Sequence, residues 1–229
     1  MKKISIIVPI FNEKDTLLTI LKRIEEADTL GLEKEIILVD DDSKDGTREI
    51  LKNIEGKHIV VYHQKNQGKG AALRTGFKKA TGDIVLIQDA DLEYNPQNYP
   101  QLLRPVLENK TDIVYGSRYL KKDNEKIHSK YYFGGKITNW ILNLFYGSHF
   151  TDFWTCYKVF KAPIIKSFEL ESNGFDIEEE MTIKALKKNY KIIEVPIDYS
   201  PRTVQQGKKI KPKDGLILIW KVIKYKFVL

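Results

Sequence analysis

The sequence has 229 residues, of which 42% are hydrophobic and 30% charged; this composition suits one large domain or two small ones and excludes general disorder. Cys156 is the single cysteine, which excludes a disulfide framework and a cysteine-built metal site and fits a reducing compartment. The net charge of +7 first suggests an anionic partner such as nucleic acid.

Short apolar runs rich in β-branched residues alternate along the chain with segments that have the apolar spacing of helices. The predicted strands are residues 4–10, 36–39, 58–62, 84–88, 112–115, 157–160 and 192–197. The predicted helices are residues 16–27, 45–54, 70–80, 133–146 and 177–188. This alternation predicts an α/β fold with a mostly parallel central sheet and helices on both faces. Ligands of such sheets bind at the carboxyl ends of the strands.

The excess positive charge is concentrated at the C-terminal end. Residues 202–229 contain eight basic residues and one acid, so residues 1–201 are neutral overall. No linker rich in Gly, Ser or Pro divides the chain, and we predict one domain over residues 1–201, followed by a basic segment, 202–229, that is not an independent domain. Because the larger part is neutral, we predict no nucleic-acid partner.

Residues 216–229 are apolar but contain Lys221, Lys224 and Lys226. The stretch falls short of the roughly 20 apolar residues of a spanning helix, and the N-terminus has no signal-peptide pattern. Two interpretations remain open: a helix packed on the domain, or an interfacial helix that rests on anionic lipid. We therefore expect a cytoplasmic protein, bound peripherally to the cytoplasmic face of the membrane in the second case.

The strongest chemical signal is Asp89-Ala90-Asp91, which follows directly after a buried strand, with Glu93 close behind. Carboxylates at positions i and i+2 can converge on one hard cation once the chain leaves strand geometry. Mg²⁺ and Mn²⁺ are typically held by few carboxylates together with phosphate oxygens and water. The alternative interpretation is a solvated turn.

A second acidic group, residues 40–42, follows the second predicted strand and consists of three aspartates. It resembles the start of a calcium loop, but Lys52 stands where that loop needs a bidentate glutamate, so we reject calcium. Acids at a strand end can accept hydrogen bonds from a nucleobase or a ribose. The alternative is a turn in which Ser43 or Asp45 caps the next helix.

The third candidate is the glycine-containing loop of residues 66–76. Gly68 and Gly70 resemble the start of a dinucleotide-binding fingerprint, but Leu73 stands where the third glycine belongs. The loop either places Lys69 and a helix N-terminus near a phosphate or is a plain turn into a helix. Cys156 has no evident catalytic partner, and we interpret it as a small buried residue.

Together these segments resemble family 2 glycosyltransferases with the GT-A fold. In the first half the matching motifs are residues 9–13, 39–47, 66–76, 82–83, 89–93 and 116–119. In the second half, residues 151–152, 155–160, 175–180, 194–196, 202–203 and 207–210 resemble the polyprenyl-phosphate sugar synthases of the dolichyl-phosphate mannose synthase type. Each motif is modest, but their order and spacing are specific, and the resemblance covers nearly the whole chain.

The resemblance implies roles for the matching residues. The nucleotide sugar would contact Pro9, Phe11, Glu13, Asp40, Asp41, Lys69, Asp89, Ala90, Asp91 and Glu180. A divalent cation, Mg²⁺ or Mn²⁺, would be held by Asp89, Asp91 and Glu93. The acceptor phosphate would meet Arg118, Lys130, Arg202, Lys208 and Lys209, and the catalytic set would be Asp89, Asp91, Asp152, Arg118 and Arg202. Family members often carry Gln at the position of Glu93 and Arg near that of Lys130.

The implied activity is transfer of a hexose, with inversion, from a GDP- or UDP-hexose to polyprenyl (dolichyl or undecaprenyl) phosphate. Such a monophosphate is already largely anionic near neutral pH, so no strong general base is needed. One alternative is a saccharide acceptor, as in capsule or cell-wall synthesis, with Asp152 as the base that a hydroxyl needs. The other is a module without enzymatic activity whose basic tail binds polyanions or a membrane surface.

Overall fold

The computed structural model describes residues 1–124, 129–202, 222 and 224–226, with the backbone alone for residues 129–133. In this part of the chain, strands form a seven-stranded sheet. They are β1 (Lys3–Ile10), β2 (Glu33–Asp40), β3 (Ile59–Tyr62), β4 (Ile84–Ile87), β5 (Ile113–Ser117), β6 (Lys158–Lys161) and β7 (Ile192–Pro196). Their order is β3-β2-β1-β4-β6-β5-β7, and only β6 runs antiparallel to its neighbours, β4 and β5. The predicted mostly parallel sheet is confirmed.

Helices cover both faces of the sheet, as predicted. They are α1 (Leu17–Glu26), α2 (Thr47–Lys52), α3 (Lys69–Lys79), α4 (Tyr99–Leu107), α5 (Ser129–Tyr146), α6 (Ala162–Lys166) and α7 (Ile177–Lys187). Successive strand side chains point to opposite faces, which divides the core in two. In β1, Ile6 and Val8 join the cluster that contains residues of α1 and α4, whereas Ile7 joins the cluster that contains residues of α3 and α7.

Helices α4 and α6 are additions to the predicted elements. Helix α4 contains two prolines: Pro100 lies in its first turn, where the missing N–H costs little, and Pro105 lies near its end. Leu102, Leu103 and Val106 are fully buried in the core cluster that contains α1. Tertiary packing of these three side chains therefore stabilises a helix that the prolines hide in the sequence. Across the described ranges we find no helix with both the length and the apolar character needed to cross a bilayer.

One edge of the sheet collects the predicted motifs. Because β1, β2, β4 and β5 point the same way, their carboxyl ends lie along one edge. The antiparallel β6 begins at this edge, where Lys158 pairs with Tyr115 of β5. The loops that follow the parallel strands and the loop that precedes β6 therefore meet there, at the place where ligands bind in open α/β sheets.

Candidate active site

Asp89, directly after β4, is a largely buried carboxylate in contact with a lysine. Its Oδ1 lies 2.7 Å from the Nζ of Lys69, and the same Nζ lies 3.4 Å from the Oε1 of Glu178. Burial raises the pKa of Asp89, but the charge of Lys69 and a hydrogen bond from Cys156 outweigh burial, and the pKa lies below its usual range. Asp89 is therefore ionised at neutral pH, and Lys69 balances its charge.

The thiol of Cys156 belongs to the same cluster. Its side chain is half-buried, and its Sγ accepts a hydrogen bond from the Nζ of Lys69 over 2.9 Å. Burial and the nearby charge of Asp89 raise the pKa of the thiol well above its usual value, so the thiol is protonated at neutral pH. The interpretation of Cys156 as a small buried residue is therefore incomplete. Lys69 lies 87 positions away in the chain, and no local pattern signals the contact.

A second cluster surrounds the guanidinium of Arg202. Its Nη2 lies 2.7 Å from the Oδ2 of Asp91, and its Nη1 lies 3.2 and 3.1 Å from the two carboxylate oxygens of Glu13. The main-chain N–H of Arg202 donates to the Oε1 of Glu93 over 2.7 Å. Burial, together with the charges of Asp89 and Glu93, raises the pKa of Asp91 to about 7. Three carboxylates in this cluster thus share one cation.

Tyr199 connects this cluster to a third, formed by Arg118 and Asp152. The hydroxyl of Tyr199 donates to the Oε2 of Glu93 over 2.9 Å, and the guanidinium carbon of Arg118 lies 5.0 Å from the centre of the Tyr199 ring. Arg118 donates through Nε and Nη2 to the two oxygens of the fully buried Asp152, over 2.7 Å each. The predicted catalytic residues therefore lie in adjoining clusters at one edge of the sheet.

Asp40 and Asp41, at the end of β2, are buried, and their carboxylates form hydrogen bonds with other residues of the chain. The carboxylate of Asp41 accepts hydrogen bonds from the main-chain N–H groups of residues 67 and 68, over 2.9 and 2.7 Å, and lies 2.7 Å from the Nδ1 of His63. The Oδ2 of Asp40 accepts from the Nε of Arg48 over 2.7 Å. These contacts join β2 to the loop that leads into α3, and the predicted contacts of both aspartates with a nucleotide stay predictions.

The start of α3 is covered by the loop of residues 171–174. The carbonyl of Asn173 accepts hydrogen bonds from the N–H groups of Gly70 and Ala71, over 2.7 and 3.2 Å. A Cβ on Gly68 or on Gly70 would lie 2.4 Å from a carbonyl oxygen of this loop. The glycines therefore permit close packing of two backbone segments, and these N–H groups are not available to a phosphate. For the helix N-terminus, the structure favours the plain-turn alternative.

Glu180, predicted to contact the nucleotide sugar, holds the other side of this loop. Its carboxylate accepts hydrogen bonds from the main-chain N–H groups of Glu171 and Ser172, over 2.9 and 2.8 Å. The Nζ of Lys184 lies 3.0 Å away, and Glu180 is buried. In this structure the carboxylate is thus engaged by its own chain, and contact with a sugar stays a prediction.

Sequence reasoning assigns no specific role to Lys158 or Glu178, which are both buried next to the site. The Nζ of Lys158 lies 2.6 Å from the Oε2 of Glu178 and also donates to the carbonyls of Phe153 and Thr155. Glu178 is the residue that also approaches Lys69, so the buried pair joins α7 to the Lys69 cluster. The sequence contains one signal for this pair: Lys158 lies within a predicted buried strand, where a lysine without a partner is rare.

The other predicted site residues are placed as follows. Pro9 lies near the end of β1 opposite Val39 of β2, Phe11 follows β1 and is half-buried, and Ala90 is buried between the two aspartates. The side chain of Lys130, and Lys208 and Lys209 entirely, lie outside the described residues.

The predicted metal ligands are not gathered into a ready-made cage. Among the side chains that the structure describes, no three His, Cys, Asp or Glu residues form a group able to hold a metal ion alone. The carboxylate of Glu93 is engaged by Tyr199 and by the main chain of Arg202. Asp89, however, is paired with Lys69, and Asp91 is paired with Arg202. A positive charge is therefore already stabilised next to each of the two carboxylates. This pair fits a Mg²⁺ or Mn²⁺ that takes its remaining ligands from phosphate and water.

The chain is similar to known proteins over most of its length. The chain is 33% identical over 226 residues to the dolichol-phosphate mannosyltransferase of Pyrococcus furiosus, a match that covers 90% of this chain and 59% of that protein. It is 29% identical over 216 residues to the undecaprenyl-phosphate 4-deoxy-4-formamido-L-arabinose transferase of Klebsiella pneumoniae, covering 91% of this chain and 63% of that protein. The chain thus spans less than two thirds of the length of these relatives.

A solved structure shares the fold. The glucosyl-3-phosphoglycerate synthase of Mycobacterium tuberculosis, in complex with Mn²⁺, uridine diphosphate and phosphoglyceric acid, matches with a TM-score of 0.75 and 20% identity, over 98% of this chain and 77% of that chain. Residues 5–168 match the description of glycosyl transferase family 2, which is more than half of the sequence. The chain therefore belongs to glycosyl transferase family 2 and has a GT-A-like fold.

Proposed function

We propose that the chain transfers a hexose from a nucleotide-diphosphate sugar to a polyprenyl phosphate, with inversion at the sugar C1 and with a divalent cation. The observation that carries this proposal is that Glu93 and Tyr199 link the ion pair of Asp91 and Arg202 to the ion pair of Arg118 and Asp152. Carboxylates for a cation and arginines for phosphate groups are the parts that such a transfer needs. The names of two relatives specify dolichol phosphate and undecaprenyl phosphate, which supports this acceptor class.

The donor, a GDP- or UDP-hexose, would lie along the loops after β1, β2 and β4. Asp89 and Asp91 would hold the Mg²⁺ or Mn²⁺, which when bound neutralises charge that develops on the leaving nucleoside diphosphate. Lys69, which now neutralises Asp89, would remain close to that diphosphate. The presence of Mn²⁺ and uridine diphosphate in the solved synthase of the same fold supports this placement.

The state of Asp152 favours a phosphate acceptor over a saccharide. A hydroxyl acceptor needs a base, and Asp152 is the predicted candidate. Both of its oxygens accept hydrogen bonds from Arg118, and the carboxylate is fully buried, so it is poorly placed to take a proton from an acceptor hydroxyl. A phosphate monoester is already ionised, and an arginine can bind it through two parallel hydrogen bonds. Arg118 and Arg202 would then position the phosphate oxygen for in-line attack on C1.

A polyprenyl acceptor places the reaction at a membrane surface, and α5 has a matching feature. Ile137, Trp140 and Leu144 follow helical spacing and are 55%, 64% and 65% exposed. On the buried side of the same helix, Asn139 hydrogen-bonds the loop that carries Asp152. We propose that this exposed stripe and the basic C-terminal segment bind the membrane peripherally at its cytoplasmic face.

The direct test is a transfer assay on the purified full chain. Labelled GDP- and UDP-hexoses are supplied with Mg²⁺ or Mn²⁺ and with one of three acceptors: polyprenyl phosphate in detergent, an oligosaccharide, or 3-phosphoglycerate. We expect label in the lipid fraction, with one donor strongly preferred. Transfer to the oligosaccharide alone would establish the alternative function, and transfer to 3-phosphoglycerate alone would reject the lipid acceptor.

The variant Asp91→Asn tests the cation site within this assay. It keeps the size of the side chain and removes its charge, and we expect transfer to fall by about two to three orders of magnitude, since a bound cation stabilises the developing charge by several kcal/mol. Asp28→Asn is the matched control, because Asp28 is exposed in the loop before β2, at the opposite edge of the sheet. Full activity in Asp91→Asn would contradict the proposal.

A further inference from the structure

The guanidinium of Arg202 supplies positive charge to a group of three carboxylates when no ligand is bound. Glu13, Asp91 and Glu93 approach one another from loops after β1 and β4, and Arg202 contacts all three. Without a cation between them, these largely buried carboxylates would repel one another. The described contacts of Asp91 include no other positive group within ion-pair distance.

The arrangement also leaves Arg202 incompletely satisfied. Its Nε is buried without a hydrogen-bond partner and lies 4.0 Å from the Oε1 of Glu93. A buried N–H without a partner destabilises the state that contains it. The backbone here is better held, because the main-chain N–H groups of Ser200 and Arg202 both donate to Glu93. The side chain can therefore change partners while its backbone stays attached.

We propose that Arg202 is a built-in counter-cation that a divalent cation must displace from Asp91, and that this exchange frees the guanidinium for a substrate phosphate. The inference rests on the proposed cation site at Asp89 and Asp91. A Mg²⁺ ligated by Asp91 sits about 2.0–2.1 Å from a carboxylate oxygen. The Oδ2 of that carboxylate accepts a hydrogen bond from the Nη2 of Arg202 over 2.7 Å, and its Oδ1 accepts one from the main-chain N–H of Glu93 over 3.1 Å. An entering cation therefore competes with existing partners of Asp91 and is repelled by the charge of the guanidinium beside it.

The exchange makes cation binding and donor binding support each other. In the free enzyme, the cation must break the contacts of Arg202 with Asp91 and Glu13, which weakens its apparent affinity. When a nucleoside diphosphate is present, the released guanidinium gains phosphate oxygens as new partners. The diphosphate should therefore tighten cation binding, and by linkage the cation should tighten diphosphate binding by the same factor.

The test measures Mn²⁺ affinity in the absence of substrate from the electron paramagnetic resonance signal of free Mn²⁺. Arg202→Gln removes the competing charge, and we expect Mn²⁺ to bind about tenfold more tightly than to the wild type. Arg202→Lys keeps a competing charge and should lie between the two. Adding GDP or UDP should tighten Mn²⁺ binding more in the wild type than in Arg202→Gln.

The control is Arg104→Gln, which removes the same charge from an exposed position on α4 and should leave Mn²⁺ affinity unchanged. Equal or weaker Mn²⁺ binding by Arg202→Gln would overturn the inference, as would an equal gain in Arg104→Gln, which would reveal a general effect of net charge. If Arg202→Gln does not fold, Arg202→Lys decides alone, and unchanged affinity in that variant overturns the inference. Mn²⁺ binding that survives in Asp91→Asn would instead reject the proposed cation site.

Discussion

Two neighbouring glutamates in the first turn of α7 differ in the contacts that their carboxylates make. Glu178 is paired with the buried ammonium of Lys158. Glu179 is fully buried, and neither of its carboxylate oxygens has a hydrogen-bond partner. Burial raises the pKa of Glu179 well above its usual value, and the nearby charge of Lys158 opposes this only in part. The folded chain therefore keeps Glu179 protonated at pH values where the unfolded chain ionises it.

This difference predicts opposite effects of one substitution. The folded state binds a proton at Glu179 that the unfolded state releases, so the wild type loses stability as the pH rises above the ordinary pKa of glutamate. Glu179→Gln removes that titration. Relative to the wild type, we expect this variant to gain stability progressively as the pH rises above about 4, with a rise in Tm of roughly 2–4 °C for each kcal/mol gained.

Glu178→Gln is the matched comparison for this measurement by thermal unfolding. It leaves the ammonium of Lys158 buried without its counter-charge, a change that typically costs about 3–5 kcal/mol. We expect a lower Tm at neutral pH, the reverse of the effect at Glu179. A pH-independent difference between Glu179→Gln and the wild type would contradict the assignment of a protonated Glu179.

At the scale of elements, the junction of α3 with the loop of residues 171–174 makes a second prediction. Replacing a glycine by alanine within a helix normally stabilises it by about 1 kcal/mol. At Gly70, however, the new Cβ would lie 2.4 Å from the carbonyl oxygen of Ser172 and 2.9 Å from that of Gly174. Because both are backbone atoms, Gly70→Ala should displace the loop and lower the stability of the fold by about 1–3 kcal/mol.

Gly134→Ala in α5 is the control, because a Cβ there has no neighbour within 4 Å. Helix propensity alone predicts that both variants gain stability, whereas the structure predicts that only Gly134→Ala does. Chemical denaturation of the two variants and the wild type decides between these expectations. A stabilised Gly70→Ala would show that the loop does not press on the start of α3.

The elements that sequence reasoning predicts well are those with strong local patterns. Strands β1, β2 and β4 are short apolar runs followed by acids, and α1 and α3 have clear helical spacing, so their positions and the motifs at their ends follow from the sequence. Helix α4 lacks such a pattern because of its prolines, and the antiparallel direction of β6 depends on its two neighbours, β4 and β5. Direction in a sheet is a tertiary property that a four-residue run does not carry.

The candidate site, too, follows from the sequence only where local motifs carry it, and its tertiary contacts do not. Asp89, Asp91, Arg118 and Arg202 belong to motifs, and the fold brings them into adjoining clusters. Tyr199 is recognised only in the structure, since its partner Glu93 is 106 residues away. The ion pairs among the motifs are equally invisible in the sequence: the motifs identify charged residues, but the fold decides which carboxylate each cation neutralises.

At the scale of the whole molecule, two parts of the chain are candidates for contact with lipid. The basic segment of residues 202–229 supplies the excess charge, and it lies almost entirely outside the described residues. The stripe of Ile137, Trp140 and Leu144 on α5 supplies apolar surface. The two contributions differ in their response to salt, because charge attraction to anionic lipid is screened whereas apolar burial is not.

Replacing the three apolar residues of the stripe should therefore weaken vesicle binding even at high salt, whereas the contribution of the basic segment is lost at high salt. Complete burial of one large apolar side chain is worth about 1.5–3 kcal/mol, so even partial burial of three should change vesicle affinity by more than about tenfold. We expect the combined variant Ile137→Gln, Trp140→Gln, Leu144→Gln to lose binding to vesicles at high salt in co-sedimentation, and to retain salt-sensitive binding to anionic vesicles.

The fold should tolerate this change, since all three side chains are more than half exposed and glutamine is a good helix former. Leu18→Gln is the control: Leu18 is 56% exposed on α1, outside the stripe, and its replacement should leave vesicle binding unchanged. Because Asn139 ties α5 to the loop of Asp152, contact of the stripe with lipid would bring the proposed acceptor site close to the membrane surface. Unchanged binding of the triple variant at high salt would instead assign membrane contact to another surface of the protein.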